Sequence, residues 1–521
     1  MATTLAEREQ VLEPKRVAGP NKGTGAARFV LGLALAGLSA FLATWAFPPY
    51  GIWPLIFVAW VPMLVAQHRV LPRRWSSLAV AIGIGGYVAG YLHGVVDPSF
   101  AWWVACIPLV VALAAGLGAI GARNFDEATG YAFFVFTFPL IWTALEFLRG
   151  FAPGIGTQGY LAYALFKEPW LLQPVSVLSV NALNLLILVV NWTIGLGVLM
   201  LLERRRPLGS RLISRRVMAV SGILCAVAAG VWVCASLLMF QADAPTVTVA
   251  AIQPGVPGPG SVHASRDLTE DLSRDITQTR MAAKEGAKIV VWQEGTLTVD
   301  PQHNPIGPEL SQLARSTHVY LVVGYRFVTA RGQHNDATVI SPSGRYLGVY
   351  GKQHPALMFA ADQQSVDAGT MPVYQTPFGR LATMICFDAD YTDTARSAAL
   401  HGAQILAVPS QDPQGDATKH YGLLVFRAIE NRLTMVKGDF AYGSAIIDPY
   451  GRILASAITP QGSRATLLVK VPVGTGHSPL VELGNLWGWL IIAGAVVAVV
   501  LGARKLGRGT TDDVALRRAG G

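Results

Sequence analysis

Residues 380–398 read RLATMICFDADYTDTARSA. The run RLATMIC has the length and apolar content of a strand, and DTARSAALHGA, from Asp393, has those of a helix. Cys386 therefore closes a strand just ahead of a turn and a helix. The same rhythm continues on both sides. TVTVAAIQP, AKIVVWQEG, VYLVVGYRFV and QILAVPS read as strands, and TKHYGLLVFRAIENRL reads as a helix. In SRDLTEDLSRDITQTRMAAKEG, Leu268, Leu272 and Ile276 fall four apart before a glycine stop, which marks an amphipathic helix. ATVISPSGRYLGVYGKQHP reads as a hairpin around Ser343-Gly344, and Gly-Arg turns recur at Gly379-Arg380 and Gly451-Arg452. Strands alternating with helices predict a layered sheet with helices outside it.

Beyond these residues the composition changes. Of the 521 residues, 52% are hydrophobic and only 14% charged, which places the chain among membrane proteins. Apolar runs near the roughly 17–25 residues that cross a bilayer occur at Phe29–Phe47, Ile52–Ala66, Leu78–Val95, Ala101–Ile120, Tyr131–Phe147, Val175–Leu202, Val217–Phe240 and Leu486–Gly502. Eight spans are expected. The second is short and holds Pro54 and Pro62, which also suits a re-entrant segment. The expected division is a cytoplasmic tail at 1–28, seven spans at 29–240, an extracytoplasmic domain at 241–484, an eighth span at 485–503 and a cytoplasmic tail at 504–521.

Charge sets the orientation. With both tails inside, the inner segments carry twenty Lys and Arg residues, whereas the short outer loops hold only Arg149 and Lys167. Residues 241–484 contain 19 Lys and Arg against 21 Asp and Glu, so the formal charge of +9 belongs to the membrane part. It speaks of topology and anionic lipid, and not of nucleic acid. The first span follows 28 polar residues and lacks a small-residue cleavage pattern, unlike a removed signal peptide. Gly86-x-x-x-Gly90 suits close helix packing. Asn181, Asn184 and Asn191 in the sixth span, with Glu146 and Arg149 near the outer end of the fifth, are expected to bond inside the bundle or face a cavity. The sequon Asn191-Trp192-Thr193 lies within a span and is no glycosylation site.

Cysteine placement poses the chemical question. Cys106, Cys225 and Cys234 lie in apolar runs, so Cys386 has no partner in its own domain. An unpaired thiol in an oxidising compartment is a liability unless it is buried or used. A free cysteine alone is most simply a small core side chain. Two further residues change that weighing. Glu294 follows the strand IVVW and Lys352 follows YLGVYG, so each stands at a strand exit as Cys386 does. A carboxylate can take a thiol proton, and an ammonium can stabilise a thiolate and the oxyanion of a tetrahedral intermediate. A helix start just after Cys386 is expected to lower its pKa. His354, His401 and His420 lie in separate elements without ligand spacing, so neither a metal nor a cofactor is expected.

Glu, Lys and Cys at three strand exits in that order, with RAIEN at 427–431, resemble the Glu-Lys-Cys triad of the nitrilase superfamily. Seven spans before such a domain and one after it resemble the superfamily's membrane-embedded apolipoprotein N-acyltransferase branch. TALEFLRG at 143–150 is similar to that branch's Glu-x-x-Arg-Gly segment. The resemblance implies an αββα sandwich outside the cytoplasmic (inner) membrane of a bacterial cell. It makes Glu294 the general base, Lys352 the oxyanion-stabilising residue and Cys386 the nucleophile, with Asp388, Glu430, Glu146 and Arg149 in support. It further implies a phospholipid acyl donor, a thioester on Cys386, and the α-amine of a diacylglyceryl-cysteine apolipoprotein as acceptor.

This sequence departs from the family's usual pattern around the triad. Gln293 replaces a proline before the glutamate, Ala360 stands where a second glutamate is usual, and Phe387-Asp388 replaces Tyr-Glu after the nucleophile. Ser410-Gln411-Asp412-Pro413 replaces an Asn-Asp-x-Trp loop. Two other readings keep these residues: a membrane-tethered amidase with water as acceptor, and a non-catalytic paralogue that binds lipoproteins. Segments 258–261 and 356–371, long and without periodicity, are the expected lids.

Overall fold

A computed structural model describes residues 22–93, 102–204, 212–240, 244–255, 268–357, 365–459 and 463–519. The membrane part is built from α1 (Lys22–Ala46), α2 (Val61–Val65), α3 (Ser77–Leu92), α4 (Ile107–Gly118), α5 (Ala122–Ala128), α6 (Phe134–Arg149), α7 (Pro169–Leu172), α8 (Val175–Glu203) and α9 (Arg215–Met239). Six helical segments among the described residues are long and apolar enough to cross a membrane: Gly25–Ala46, Arg73–Leu92, Trp102–Ala128, Val175–Glu203, Arg215–Met239 and Leu486–Leu506.

The second and fifth apolar runs are built differently. Residues 52–70 form a 3-10 turn (Trp53–Phe57), α2 and a π turn (Ala66–Val70), with Pro54 and Pro62 each opening a new turn. A broken backbone at this depth needs outside partners. Asn191 supplies them: its Nδ2 donates to Ile56 O (2.8 Å), and its Oδ1 accepts from Trp60 N (2.9 Å). Ser39 Oγ accepts from Met63 N at 2.8 Å. The fifth run is the 16-residue α6, at about 24 Å shorter than a hydrocarbon core, with Pro139 inside it.

Gly86 and Gly90 bring α3 against α1, where Ala40 and Thr44 occupy the space a side chain would fill. Asn184 takes Ala162 N on its Oδ1 (2.8 Å) and gives its Nδ2 to Glu146 Oε2 (3.1 Å). Arg149 donates to Gly156 O at 3.2 Å and lies over the Tyr160 ring. At one end of the bundle, Arg69 pairs with Glu203 (2.8 Å), and both Arg73 and Arg123 pair with Glu127. Helix α8, broken near its start by the non-helical Ser179 (φ +67°), carries the chain to this end from the opposite one.

At that other end sits the second domain. It comprises β1 (Thr246–Gln253), α10 (Leu268–Lys284), β2 (Ile289–Val291), α11 (Ile306–Thr317), β3 (Tyr320–Thr329), β4 (Gly332–Ile340), β5 (Tyr346–Gly351), β6 (Val373–Thr376), β7 (Gly379–Thr383), α12 (Thr392–Leu400), β8 (Ile405–Ser410), α13 (Ala417–Asn431), β9 (Thr434–Asp439), β10 (Gly443–Ile447), β11 (Ile453–Ile458) and β12 (Ala465–Pro472). Two six-stranded sheets form, in the orders β12-β1-β2-β3-β4-β5 and β11-β10-β9-β8-β7-β6. In each, three central strands run parallel, β1-β2-β3 in one and β7-β8-β9 in the other. Val249, Ile289, Val291, Leu381, Ile405, Ala407 and Val436 fill the space between the sheets. Helices α10 and α11 cover one outer face, α12 and α13 the other, giving an αββα sandwich.

Helix α13 is buried along its whole length because the sheet covers one side and the membrane part the other. Lys419 Nζ donates to Tyr91 O (2.7 Å), and Arg427 Nη2 to the Tyr163 hydroxyl (2.5 Å). Arg432 reaches Gln173 Oε1 (2.7 Å) and Ser176 Oγ (3.0 Å). The Thr157 hydroxyl donates to Asp390 O at 2.7 Å, tying a membrane-domain loop to the segment that carries Cys386. The chain then leaves through α14 (Pro479–Leu483) into α15 (Leu486–Ala519), which lies against α6.

Candidate active site

Parallel strands in one sheet release their chains at the same edge, and ligand-facing residues gather there. Glu294 lies three residues past β2, Lys352 directly follows β5, and Cys386 lies three residues past β7 in the facing sheet. Gly324 and Gly438 let the sheets approach closely here. A Cβ on Gly324 would lie 2.7 Å from Gln293 O, and one on Gly438 2.5 Å from Val291 O. Glu294 N in turn donates to Ser410 O across the gap at 3.2 Å.

Glu294 and Lys352 are both 1% exposed, and Lys352 Nζ lies 3.1 Å from Glu294 Oε1. The same oxygen accepts from Asn335 Nδ2 (2.8 Å) and from Arg326 Nη2 (2.6 Å). Burial alone pushes this carboxyl up, but Arg326 and Lys352 outweigh it and hold Glu294 well below the usual carboxylate range. Oε2, also buried, has no hydrogen-bond partner among the described residues. One oxygen is thus clamped and the other is left available.

Cys386 opens a 3-10 turn, Cys386–Asp390, and has φ of +45°, a left-handed conformation uncommon outside glycine. Its neighbours Ile385 and Phe387 are buried, while Cys386 keeps part of its surface open. The expected lowering of the thiol pKa is overturned. Burial pushes it well up, Glu294 and Asp412 push the same way, and Lys352 opposes them. A single five-residue turn does not offset that desolvation.

Asp388, fully buried, is the hub between the Lys352 and Cys386 segments. Its Oδ2 accepts from the Tyr350 hydroxyl (2.6 Å) and Ile385 N (2.9 Å), and its Oδ1 from Gln353 N (3.1 Å) and His354 N (2.8 Å). The other supporting residues lie elsewhere. Glu430 pairs with Arg427 on α13 and, with Asn181, lines a cavity between α6, α8 and α15, whereas Glu146 and Arg149 bond within the membrane part. Gln293, in place of the usual proline, donates to Asp275 Oδ2 at 2.9 Å. Phe387 packs with Ala356 and Tyr391. Ala360, residues 258–261 and part of the 356–371 segment lie outside the described residues.

Several charged groups at the site have no sequence motif. Asp412, from the loop after β8, has Oδ1 3.8 Å from Cys386 Sγ and 2.7 Å from His420 Nδ1, and Oδ2 2.6 Å from Lys437 Nζ. Lys437 also donates to Asp439 Oδ2 (3.1 Å), and His420 Nε2 lies 3.2 Å from Asp390 Oδ2. His420 is thus brought beside the nucleophile. His354 stacks on Tyr391 and contacts Asp393 (3.0 Å), while His401 stays exposed on its own helix. A hidden register and three separate elements create these contacts, and no spacing in the sequence marks them.

Comparison with known proteins follows the same division. Residues 39–193 match the apolipoprotein N-acyltransferase N-terminal domain, and residues 248–477 match the carbon-nitrogen hydrolase family. An apolipoprotein N-acyltransferase of Geobacter metallireducens is 25% identical over 510 residues, covering 90% of this chain and 95% of its own. The apolipoprotein N-acyltransferase of Gloeobacter violaceus is 26% identical over 95% of both chains. That of Thermosynechococcus vestitus is 24% identical over 81% of this chain and 86% of its own. Both domains match in order and the relatives are matched nearly end to end, so the chain is similar to apolipoprotein N-acyltransferases across its membrane part and its second domain alike.

Proposed function

We propose that this protein transfers a fatty acyl chain from a phospholipid, through a thioester on Cys386, to the α-amine of a diacylglyceryl-modified apolipoprotein. The observation that supports the reading is the buried Glu294–Lys352 pair, 3.1 Å apart, whose two charges both act on the Cys386 thiol. Glu294 Oε2 takes the thiol proton as sulfur attacks the ester carbonyl, and Lys352 Nζ stabilises the oxyanion. Collapse breaks the ester C–O bond, and the proton held by Glu294 passes to the leaving lysophospholipid oxygen. The acceptor amine then attacks the thioester, gives its proton to Glu294, and leaves N-acylated as Glu294 returns the proton to sulfur.

The topology we propose has eight crossings, with 1–28 and 504–521 cytoplasmic, seven crossings in 29–240, the catalytic domain at 241–484 outside, and the last crossing at 485–503. The excess of basic residues on the inner segments supports it, as does the gathering of Arg69, Arg73 and Arg123 at the bundle end remote from the catalytic domain. Both substrates are lipid-anchored, so a site held on the outer leaflet meets them at high effective concentration. The match of the membrane part, absent from a soluble amidase, weighs against water as the acceptor. The test is incubation with phospholipid bearing a labelled acyl chain. Label bound to Cys386 through a hydroxylamine-labile bond, and absent in Cys386→Ala, is expected; no label on the unaltered protein overturns the reading.

A further inference from the structure

The Cys386 thiol donates its hydrogen bond to Asp412 Oδ1, at 3.8 Å, and no such bond to Glu294 exists among the described residues. Asp412 is itself fixed. It is 3% exposed and held by His420 Nδ1 at 2.7 Å and Lys437 Nζ at 2.6 Å, both buried. His420 is backed by Asp390, and Lys437 by Asp439 and the Gly443 carbonyl (2.8 Å). This is a rigid carboxylate with two cations behind it and a sulfur in front. Asp412 belongs to the Ser410–Pro413 loop that follows β8.

We infer that Asp412 is a further positioning residue of the site: it holds the hydrogen of the Cys386 thiol and, with His420 and Lys437 balancing its charge, keeps the sulfur neutral until substrate arrives. The inference rests on Cys386 being the nucleophile. It answers the question set by an unpaired cysteine in a domain we place outside the cytoplasm. A neutral thiol is a poor target for oxidants, and no second cysteine of this domain exists to rescue it. Ionisation then waits for the substrate carbonyl and for Glu294, whose Oε2 is buried without a hydrogen-bond partner among the described residues.

The charged groups that act on Cys386 are Glu294 after β2, Lys352 after β5, Asp412 after β8, His420 on α13 and Lys437 on β9, with Arg326 paired to Glu294, Asp390 to His420 and Asp439 to Lys437. Removing a single charge from this set has a definite sign. Asp412→Asn deletes a negative charge and leaves two cations behind, so the thiol ionises more readily. His420→Gln deletes a positive charge, so it ionises less readily.

The test is iodoacetamide alkylation of the full-length protein in detergent between pH 6 and 10.5, read at the Cys386 peptide by mass spectrometry. D412N is expected to lower the alkylation midpoint by about one pH unit or more, with about tenfold faster labelling near pH 7.5. H420Q is expected to slow labelling at every pH below its midpoint. General structural damage would move both variants the same way. Such a common shift, or a D412N midpoint unchanged or raised, overturns the inference. Should D412N fail to fold, H420Q decides alone, and labelling equal to or faster than the unaltered protein overturns it. Thioester formation by the unaltered protein, measured in parallel, separates the failures. Without a thioester the nucleophile assignment falls and this inference with it; with a thioester and an unmoved midpoint, the inference falls alone.

Discussion

Replacing Asp388 by Asn changes almost no volume and removes the acceptor that joins the two loops of the site. Four donors at 2.6–3.1 Å converge on this carboxylate. An amide oxygen can serve one pair of them, and its nitrogen must then face the other pair. The less costly orientation keeps the Gln353 and His354 amides bonded and turns the nitrogen toward Tyr350 and Ile385. The Tyr350 hydroxyl can rotate and accept, but the Ile385 N–H cannot. An orphaned buried N–H costs about 1–3 kcal/mol, and the loss of charge assistance at the remaining bonds brings the total to about 2–4 kcal/mol. The functional loss follows from displacement. Ile385 precedes Cys386 and Gln353 follows Lys352, so loosening this hub shifts nucleophile against ammonium, and a shift of about 1 Å costs on the order of 100-fold. Thermal unfolding in detergent and single-turnover acylation of Cys386 read the two effects. A D388N protein that melts as the unaltered one does and acylates within about threefold of it would refute the hub.

Glu294→Gln is expected to lower acylation by about 10²–10⁴-fold through loss of the base, and to destabilise the fold by about 3–5 kcal/mol because Lys352 and Arg326 lose their shared counter-charge; complementation equal to the unaltered protein would contradict both. The folded-state pKa of Glu294 lies below its unfolded value of about 4.3. Its contribution is therefore full above that pH and lost as pH falls through the folded value. Denaturant titrations from pH 6 to 3 should show that acid loss in the unaltered protein and a shallower one in E294Q. Gly438→Ala would place a methyl 2.5 Å from Val291 O and 2.9 Å from Trp292 O. A cost of about 1–3 kcal/mol in unfolding is expected, and an unchanged melting curve would show that the sheets can part.

The strand exits at Glu294, Lys352 and Cys386 were readable because each follows a short apolar run, and a run of that length has few other uses. The hairpin at Ser343-Gly344 was readable from its turn residues, and Gly344 has φ of +76° there. What surrounds the three residues was not readable. Arg326 and Asn335 reach Glu294 only because β3 and β4 pair in antiparallel register, Arg326 opposite Asn335, and pairing across strands has no local signature. Asp412, His420 and Lys437 come from a loop, a helix and a strand. The direction of the Cys386 thiol shift was missed for the same reason. A helix start is visible in sequence, whereas burial beside two carboxylates belongs to the folded molecule. In the membrane part, hydropathy found the apolar stretches but gave no sign that Asn191, more than 120 residues away, completes the broken backbone at 53–70.

The central claim is that this protein acylates lipoprotein amines, and the most direct measurement is mass spectrometry of lipoprotein N-terminal peptides from otherwise identical cells with and without it. The account predicts diacylglyceryl-cysteine carrying an added amide-linked acyl chain only where the protein, with Cys386 intact, is present. Free α-amines in both samples, or equal acylation with Cys386→Ala, would contradict it.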